Sequence, residues 1–161
     1  MRLTTRSATE ADVPVLAAMN KCLIEDEGSR NPMTGAELQQ RMRGWLKGDW
    51  QVRLFEEENG DVVGYTVFQS RQDDYFPENQ VMYLRQLYIE RERRSRGLGQ
   101  QALQLLLERE FPQEVMVVID VLAANPRGYR FWSKMGFGPY CTTMHFKKKA
   151  GKQLGQQEHD R

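Results

Sequence analysis

Two glycines, Gly97 and Gly99, sit in the stretch Arg94-Ser95-Arg96-Gly97-Leu98-Gly99 at the junction of two segments with different apolar periods. Upstream, Val81 to Ile89 is apolar on both pleat faces apart from Arg85 and Gln86, the pattern of a strand covered on both sides. Downstream, Leu98, Ala102, Leu105 and Leu106 recur at helical spacing. The glycines therefore open a helix. A helix start presents unpaired backbone N–H groups and the positive end of a dipole, and glycine lets a bulky anion approach them. The junction reads as a phosphate cradle suited to pyrophosphate.

A second set of signals follows one element later. Val115 to Leu122 is another two-faced apolar run, so strand, helix and strand predict a parallel unit with a right-handed crossover. Asn125-Pro126 then pairs an N-cap residue with proline at the first helical position. That helix runs to about Lys134 and stops at Gly136, before Phe137. Together the R-x-x-G-x-G and N-x(10)-G-F patterns, over Leu84 to Phe137, resemble the acetyl-CoA-binding core of the GNAT family of N-acyltransferases.

The rest of the chain is compatible with that family's plan. Leu3 to Arg6 reads as an edge strand, and Thr9 or Asp12 caps a helix with Val13, Leu16, Ala17, Leu23 and Ile24 on one face, ending near Gly28. Thr34-x-x-Glu37 is a capping box opening a second helix with Leu38, Met42 and Trp45 on one side. Trp50, Val52 and Leu54 alternate, and Asn59-Gly60 turns the chain into Val62–Phe68 as a hairpin. Phe137 to Phe146 reads as a last strand, broken near Gly138-Pro139. The order β, α, α, β, β, β, α, β, α, β predicts an α/β chain of the α+β type, a mixed sheet flanked by helices. One domain over 1–146 is expected, followed by a polar, frayed tail over 147–161.

Bulk properties exclude several classes. The chain has 161 residues and a net charge of +1, which gives no general attraction to nucleic acid or to a membrane surface. No run approaches the roughly 20 apolar residues of a membrane span, and Met1 to Pro14 lacks an apolar signal core. Cys22 and Cys141 are too few for a disulfide scaffold. A cytoplasmic protein is expected, with a homodimer left open.

The resemblance implies roles for particular residues. In the family, two parallel strands part at their carboxyl ends and the pantetheine arm of the cosubstrate lies between them. Leu87, Tyr88 and Ile89 would then offer backbone groups to the pantetheine and a donor to the thioester oxygen. Amides from Arg94, Ser95, Arg96, Gly97, Leu98, Gly99 and Gln100 would hold the pyrophosphate, and Asn125 and Phe131 would line the other wall. Some of Arg91, Arg93, Arg94 and Arg96 would meet the cosubstrate's phosphates, which bidentate guanidinium contacts suit, or else the run is a solvated basic loop. The implied activity is acetyl transfer from acetyl-CoA to a primary amine, with no metal.

The acid and base are less clearly marked. The family's common general acid is a tyrosine seven residues after the motif asparagine, where this chain has Trp132, and an indole N–H is no proton donor to a thiolate. Tyr129, one turn earlier, is the candidate acid or else packs on the sheet. Asp120 interrupts an apolar strand and is the candidate base, its pKa raised by apolar neighbours, or else it pairs with Arg85. Glu25-Asp26-Glu27 either attracts a cationic acceptor or ends a solvated helix. His145 reads as structural, with no metal ligands near it. Two other readings compete with the enzyme. Gly97-x-Gly99-x-x-Ala102 with Asp120 also fits a dinucleotide fingerprint, and a CoA-binding sensor without turnover would explain Trp132.

Overall fold

The computed structural model describes residues 2–151. Five strands form one sheet in the order β1-β2-β3-β4-β5: β1 (Thr4–Ser7), β2 (Gln51–Glu56), β3 (Val62–Gln72), β4 (Gln80–Ile89) and β5 (Met116–Val118). The first four are antiparallel neighbours, and β5 joins β4 in parallel through the crossover helix α3 (Leu98–Arg109). Helices α1 (Val13–Asp26) and α2 (Gly35–Lys47) separate β1 from β2, and α4 (Pro126–Lys134) follows β5. A mixed sheet with a single parallel pair leaves no doubly wound unit for a dinucleotide, so that alternative fails.

Local signals act where the sequence places them. Thr34 Oγ1 accepts from Glu37 N at 3.2 Å while Glu37 Oε1 accepts from Thr34 N at 2.9 Å, closing the capping box of α2. The Asn59-Gly60 turn joins β2 to β3, with Gly60 at φ 88°. Asn125 Oδ1 accepts from Gly128 N at 2.9 Å and starts α4.

The sheet separates two apolar layers. On one side Leu98, Ala102, Leu103 and Leu106 of α3 bury against Phe68, Met82 and Leu84, with Trp132 and Phe137 at the margin. On the other, Val13, Leu16, Met19 and Leu23 of α1 and Met42 of α2 cover Leu54, Tyr65, Val67 and Tyr88. Each fully buried Leu or Val side chain contributes roughly 1.5–3 kcal/mol, so these two helix faces anchor the sheet from both sides. Gly64 lets the central strands approach, because a Cβ there would lie 2.1 Å from the Tyr88 carbonyl oxygen.

A bulge in β4 decides the geometry beyond. Val67 pairs with Gln86 and Phe68 with Leu84, leaving Arg85 without a rung. The extra residue resets the pleat, so Arg85 and Gln86 both face the α1/α2 layer: Arg85 lies over Trp45 and Trp50, and Gln86 Oε1 accepts from Tyr65 Oη at 2.7 Å. This explains why these two polar residues interrupt an otherwise apolar run. It also ends the parallel pairing.

Two expectations are corrected at the carboxyl side. The strand predicted over Val115 to Leu122 is only Met116–Val118, because its ladder has three rungs, Val81, Met82 and Tyr83, before β4 bulges. The strand predicted over Phe137 to Phe146 does not form. Residues 138–149 carry no regular structure, and Tyr140, Met144 and Phe146 are 93%, 87% and 61% exposed. Their alternation suits a half-buried strand, but no described strand offers them a ladder. The tail predicted over 147–161 lies outside the described residues from 152 onward.

Candidate active site

The glycine junction is built as the sequence predicts. A short 3-10 turn over Arg91–Arg96 leads from β4 into Gly97, whose φ of 72° and ψ of 16° are left-handed values that glycine adopts without strain. The first bond of α3 runs from Gln101 N to Gly97 O, at 3.1 Å. The amides of Leu98, Gly99 and Gln100 therefore have no acceptor within the helix and carry its positive dipole end. Gly99 faces α4, since a Cβ there would lie 3.2 Å from the Phe131 ring. Asn125 caps that same helix, so the two glycine-motif helices meet at Phe131 and Gly99.

The arginines expected to meet phosphates are ion-paired with carboxylates. Arg91 Nη2 lies 2.8 Å from Asp26 Oδ1, and Arg94 Nη2 pairs with Asp26 Oδ2 while its Nε donates to the Ile89 carbonyl at 2.8 Å. Arg93 and Arg96 meet the two oxygens of the buried Glu57 at 2.8 and 3.2 Å. Burial pushes the Asp26 carboxyl up, and its bonds to Arg94 and Arg91 outweigh that and hold it below the usual range. The loop is thus clamped from α1 and from the β2–β3 hairpin. Asp26 and Glu25 are both engaged by Arg91, with Glu25 Oε2 3.4 Å from its Nη2. Glu27 is apart from them, its carboxyl raised by burial first and by Asp26 second.

Beside the cradle the sheet opens. Beyond the Tyr83–Val118 rung no ladder joins β4 to the chain after β5, while Leu87, Tyr88 and Ile89 stay paired on their other side with Thr66, Tyr65 and Gly64. The unpaired edge of β4 runs toward the glycine junction. Gly28 closes the far side, where its Cβ position lies 3.1 Å from Ala124 Cβ. The Ile89 carbonyl, expected to be open, is occupied by Arg94.

Asp120 takes neither predicted environment. It is exposed, so the apolar burial expected around it is absent, and its partner is Tyr83 rather than Arg85: Tyr83 Oη donates to Asp120 Oδ2 at 2.6 Å. Burial and then this bond push the Tyr83 phenol up to about 12. Tyr129 is 48% exposed on α4. Trp132 packs edge to face between Phe131 and Phe137, with ring centroids 5.0 and 5.1 Å away. His145 is exposed, and among the described residues no group of His, Cys, Asp or Glu could hold a metal ion. Both cysteines are free, Cys22 beside Tyr88, whose phenol burial and that contact raise to about 12.

Tyr83 and Glu57 escaped the sequence reading. Glu57 lies in Glu56-Glu57-Glu58, where nothing marks the middle residue, and Tyr83 reads as an ordinary strand aromatic.

The fold has known counterparts. The description "Acetyltransferase (GNAT) family" matches residues 18–137. The chain belongs to that family, the acyl-CoA-dependent N-acetyltransferases. A tetramutant protein of Bacillus halodurans shares its fold, at 20% identity and TM-score 0.73, covering 90% of this chain and 99% of that one. The aminoglycoside antibiotic 6'-N-acetyltransferase of Acinetobacter baumannii is similar at 17% identity and TM-score 0.70, over 93% of this chain and 100% of that one. A protein of Clostridium acetobutylicum, described as a predicted acetyltransferase with acetyl-CoA, reaches TM-score 0.65 at 17% identity, over 99% of this chain and 100% of that one. No curated protein matches the chain in sequence. No helix among the described residues is long and apolar enough to cross a membrane.

Proposed function

We propose that the protein transfers an acetyl group from acetyl-CoA to a primary amine by direct attack within a ternary complex. The observation that carries this reading is the parting of β4 from β5 after the Tyr83–Val118 rung, immediately beside the free amides that open α3. A pyrophosphate fits those amides, and only glycine at 99 leaves the Phe131 ring undisturbed there. The pantetheine arm would follow the open edge of β4 along Leu87 to Ile89.

Aligning amine and thioester converts an encounter into a near-attack geometry, and an edge amide of β4 would support charge on the thioester oxygen. The amine nitrogen bonds to the acetyl carbon as the carbon–sulfur bond breaks, the CoA thiolate leaves and the nitrogen loses a proton. Asp120, held by Tyr83, accepts that proton, and Tyr129 protonates the thiolate. The leaving thiol has an ordinary pKa near 8.5, so the acid contributes less than the base. Trp132 serves as packing.

The test is release of free thiol from acetyl-CoA against a panel of amines. Amine-dependent release supports the reading. Tight acetyl-CoA binding with no release for any amine would replace it with the sensor reading, which the packed Trp132 favours.

A further inference from the structure

We infer that Arg41, Arg71 and Arg85, stacked on Trp45, Trp50 and Tyr83, form an acceptor subsite for a carboxylate, so that the amine acetylated here carries an acid group a few bonds from its nitrogen. This inference rests on the acetyl-transfer reading.

The cluster lies on the α1/α2 face of the sheet where β4 leaves β5. The three rings form a row, with centroids 5.9 Å apart for Trp45 and Trp50 and 6.0 Å for Trp50 and Tyr83. The Arg41 guanidinium carbon sits 4.5 Å from the Trp45 centroid. That of Arg85 sits 5.1 and 5.3 Å from Trp45 and Trp50, and that of Arg71 sits 5.7 and 4.2 Å from Trp50 and Tyr83. Five guanidinium–ring contacts thus fall on three neighbouring rings.

Their charge is compensated only at longer range, by Glu27 acting on Arg41. Arg91, Arg93, Arg94 and Arg96 in the cradle, and Arg6 and Arg53 on the sheet, each lie within 4.0 Å of a carboxylate. Among the described residues no carboxylate comes that close to Arg41, Arg71 or Arg85. Arg41 donates to Asn20 Oδ1 at 3.2 Å and Arg71 to Gln69 Oε1 at 2.6 Å, both neutral acceptors, and Arg85 packs on the two indole faces. Burial and then the charge of the exposed Arg85 lower the Arg41 guanidinium, with Glu27 acting in the opposite direction. A ligand carboxylate would relieve that repulsion and satisfy planar donors bidentately.

The same cluster reaches the reacting end. Tyr83 carries Arg71 on its ring face and holds Asp120 through its hydroxyl. Positive and negative groups are therefore separated by one tyrosine side chain, matching a molecule with a carboxylate at one end and an ammonium at the other. The bulge makes this possible, since it turns Arg85 onto this face.

The test compares twenty amino acids with their carboxamides, using acetyl-CoA-loaded protein, by thiol release and by quenching of indole fluorescence. The best acid is expected to exceed its amide at least tenfold in kcat/KM. Arg85→Gln and Arg41→Gln are expected to reduce that preference below threefold with acetyl-CoA affinity unchanged. Equal rates for acids and amides, or a preference that survives both substitutions, overturns the inference while leaving acetyl transfer intact. Should no amine release thiol, acetyl transfer itself fails and fluorescence alone decides. Saturable quenching by acids, absent with amides and lost in Arg85→Gln, supports the subsite, and its absence overturns it.

Discussion

Tyr83 Oη donates to Asp120 Oδ2 at 2.6 Å across the point where β4 and the chain after β5 separate. A phenol held up at about 12 stays protonated at neutral pH, so it orients the carboxylate without competing for the amine's proton. Asp120→Asn is expected to lower kcat by about 10²–10⁴, the range for a positioned base. Tyr83→Phe keeps the base but frees it, and should cost about tenfold, with acetyl-CoA affinity unchanged in both. Wild-type kcat in Asp120→Asn would remove this residue from the reaction.

Gly99 supplies the test of the cradle. Acetyl-CoA at about 100 times its Kd should stabilise the fold by roughly 2.7 kcal/mol. Gly99→Asp places a negative charge among the free amides and a Cβ 3.2 Å from Phe131. The ligand-induced rise in Tm is expected to vanish while circular dichroism stays native. A full rise in a folded variant would move the phosphate site elsewhere.

Trp132 and Tyr129 differ in expected effect because one is enclosed by rings and the other is exposed. Trp132→Phe should retain kcat/KM within about tenfold, ~1.4 kcal/mol of barrier. Tyr129→Phe should lose about 10²-fold in kcat without change in acetyl-CoA affinity, measured by steady-state thiol release. A loss below threefold would assign the thiolate's proton to water.

Arg6 and Asp12 tie β1 to the start of α1. Asp12 accepts from Arg6 Nη1 and Nη2, both at 2.9 Å, and from Thr9 N at 2.8 Å. The Arg6 bonds, chiefly, hold its carboxyl below the usual range. A depressed folded pKa makes this stabilisation present above the unfolded value, about 3.9, and lost as pH falls through the folded value. Asp12→Asn should cost about 1–3 kcal/mol at neutral pH. In urea titrations its stability should also fall less than wild type's below about pH 4.

Gly64 carries the largest expected loss of stability. Its Cβ would meet the Tyr88 carbonyl oxygen at 2.1 Å and Ile89 Cδ1 at 2.9 Å, and the first of these is backbone that cannot rotate away. Gly64→Ala should cost about 3 kcal/mol or more by urea denaturation, through displacement of β3 from β4. A cost under about 1 kcal/mol would mean the two strands are not held this closely.

The sequence by itself determined the elements whose causes are local. Thr34 and Glu37, Asn59 and Gly60, Gly97 and Gly99, and Asn125 and Gly128 each act within a few residues of one another, and all form as their spacing predicts. The family pattern was legible for the same reason. What the tertiary structure alone decided involves partners far apart in the chain. Arg94 meets Asp26 and Arg96 meets Glu57, ion pairs that hold the loop to distant segments. One unpaired residue, Arg85, shortens β5, reorients β4 and brings a cation onto Trp45 and Trp50. The alternation over Phe137 to Phe146 has the period of a strand, but a strand also needs a ladder partner, and none is supplied among the described residues. Periodicity is a property of a segment, whereas ion pairs, bulges and strand edges depend on which segments meet, and that is settled only when the chain folds.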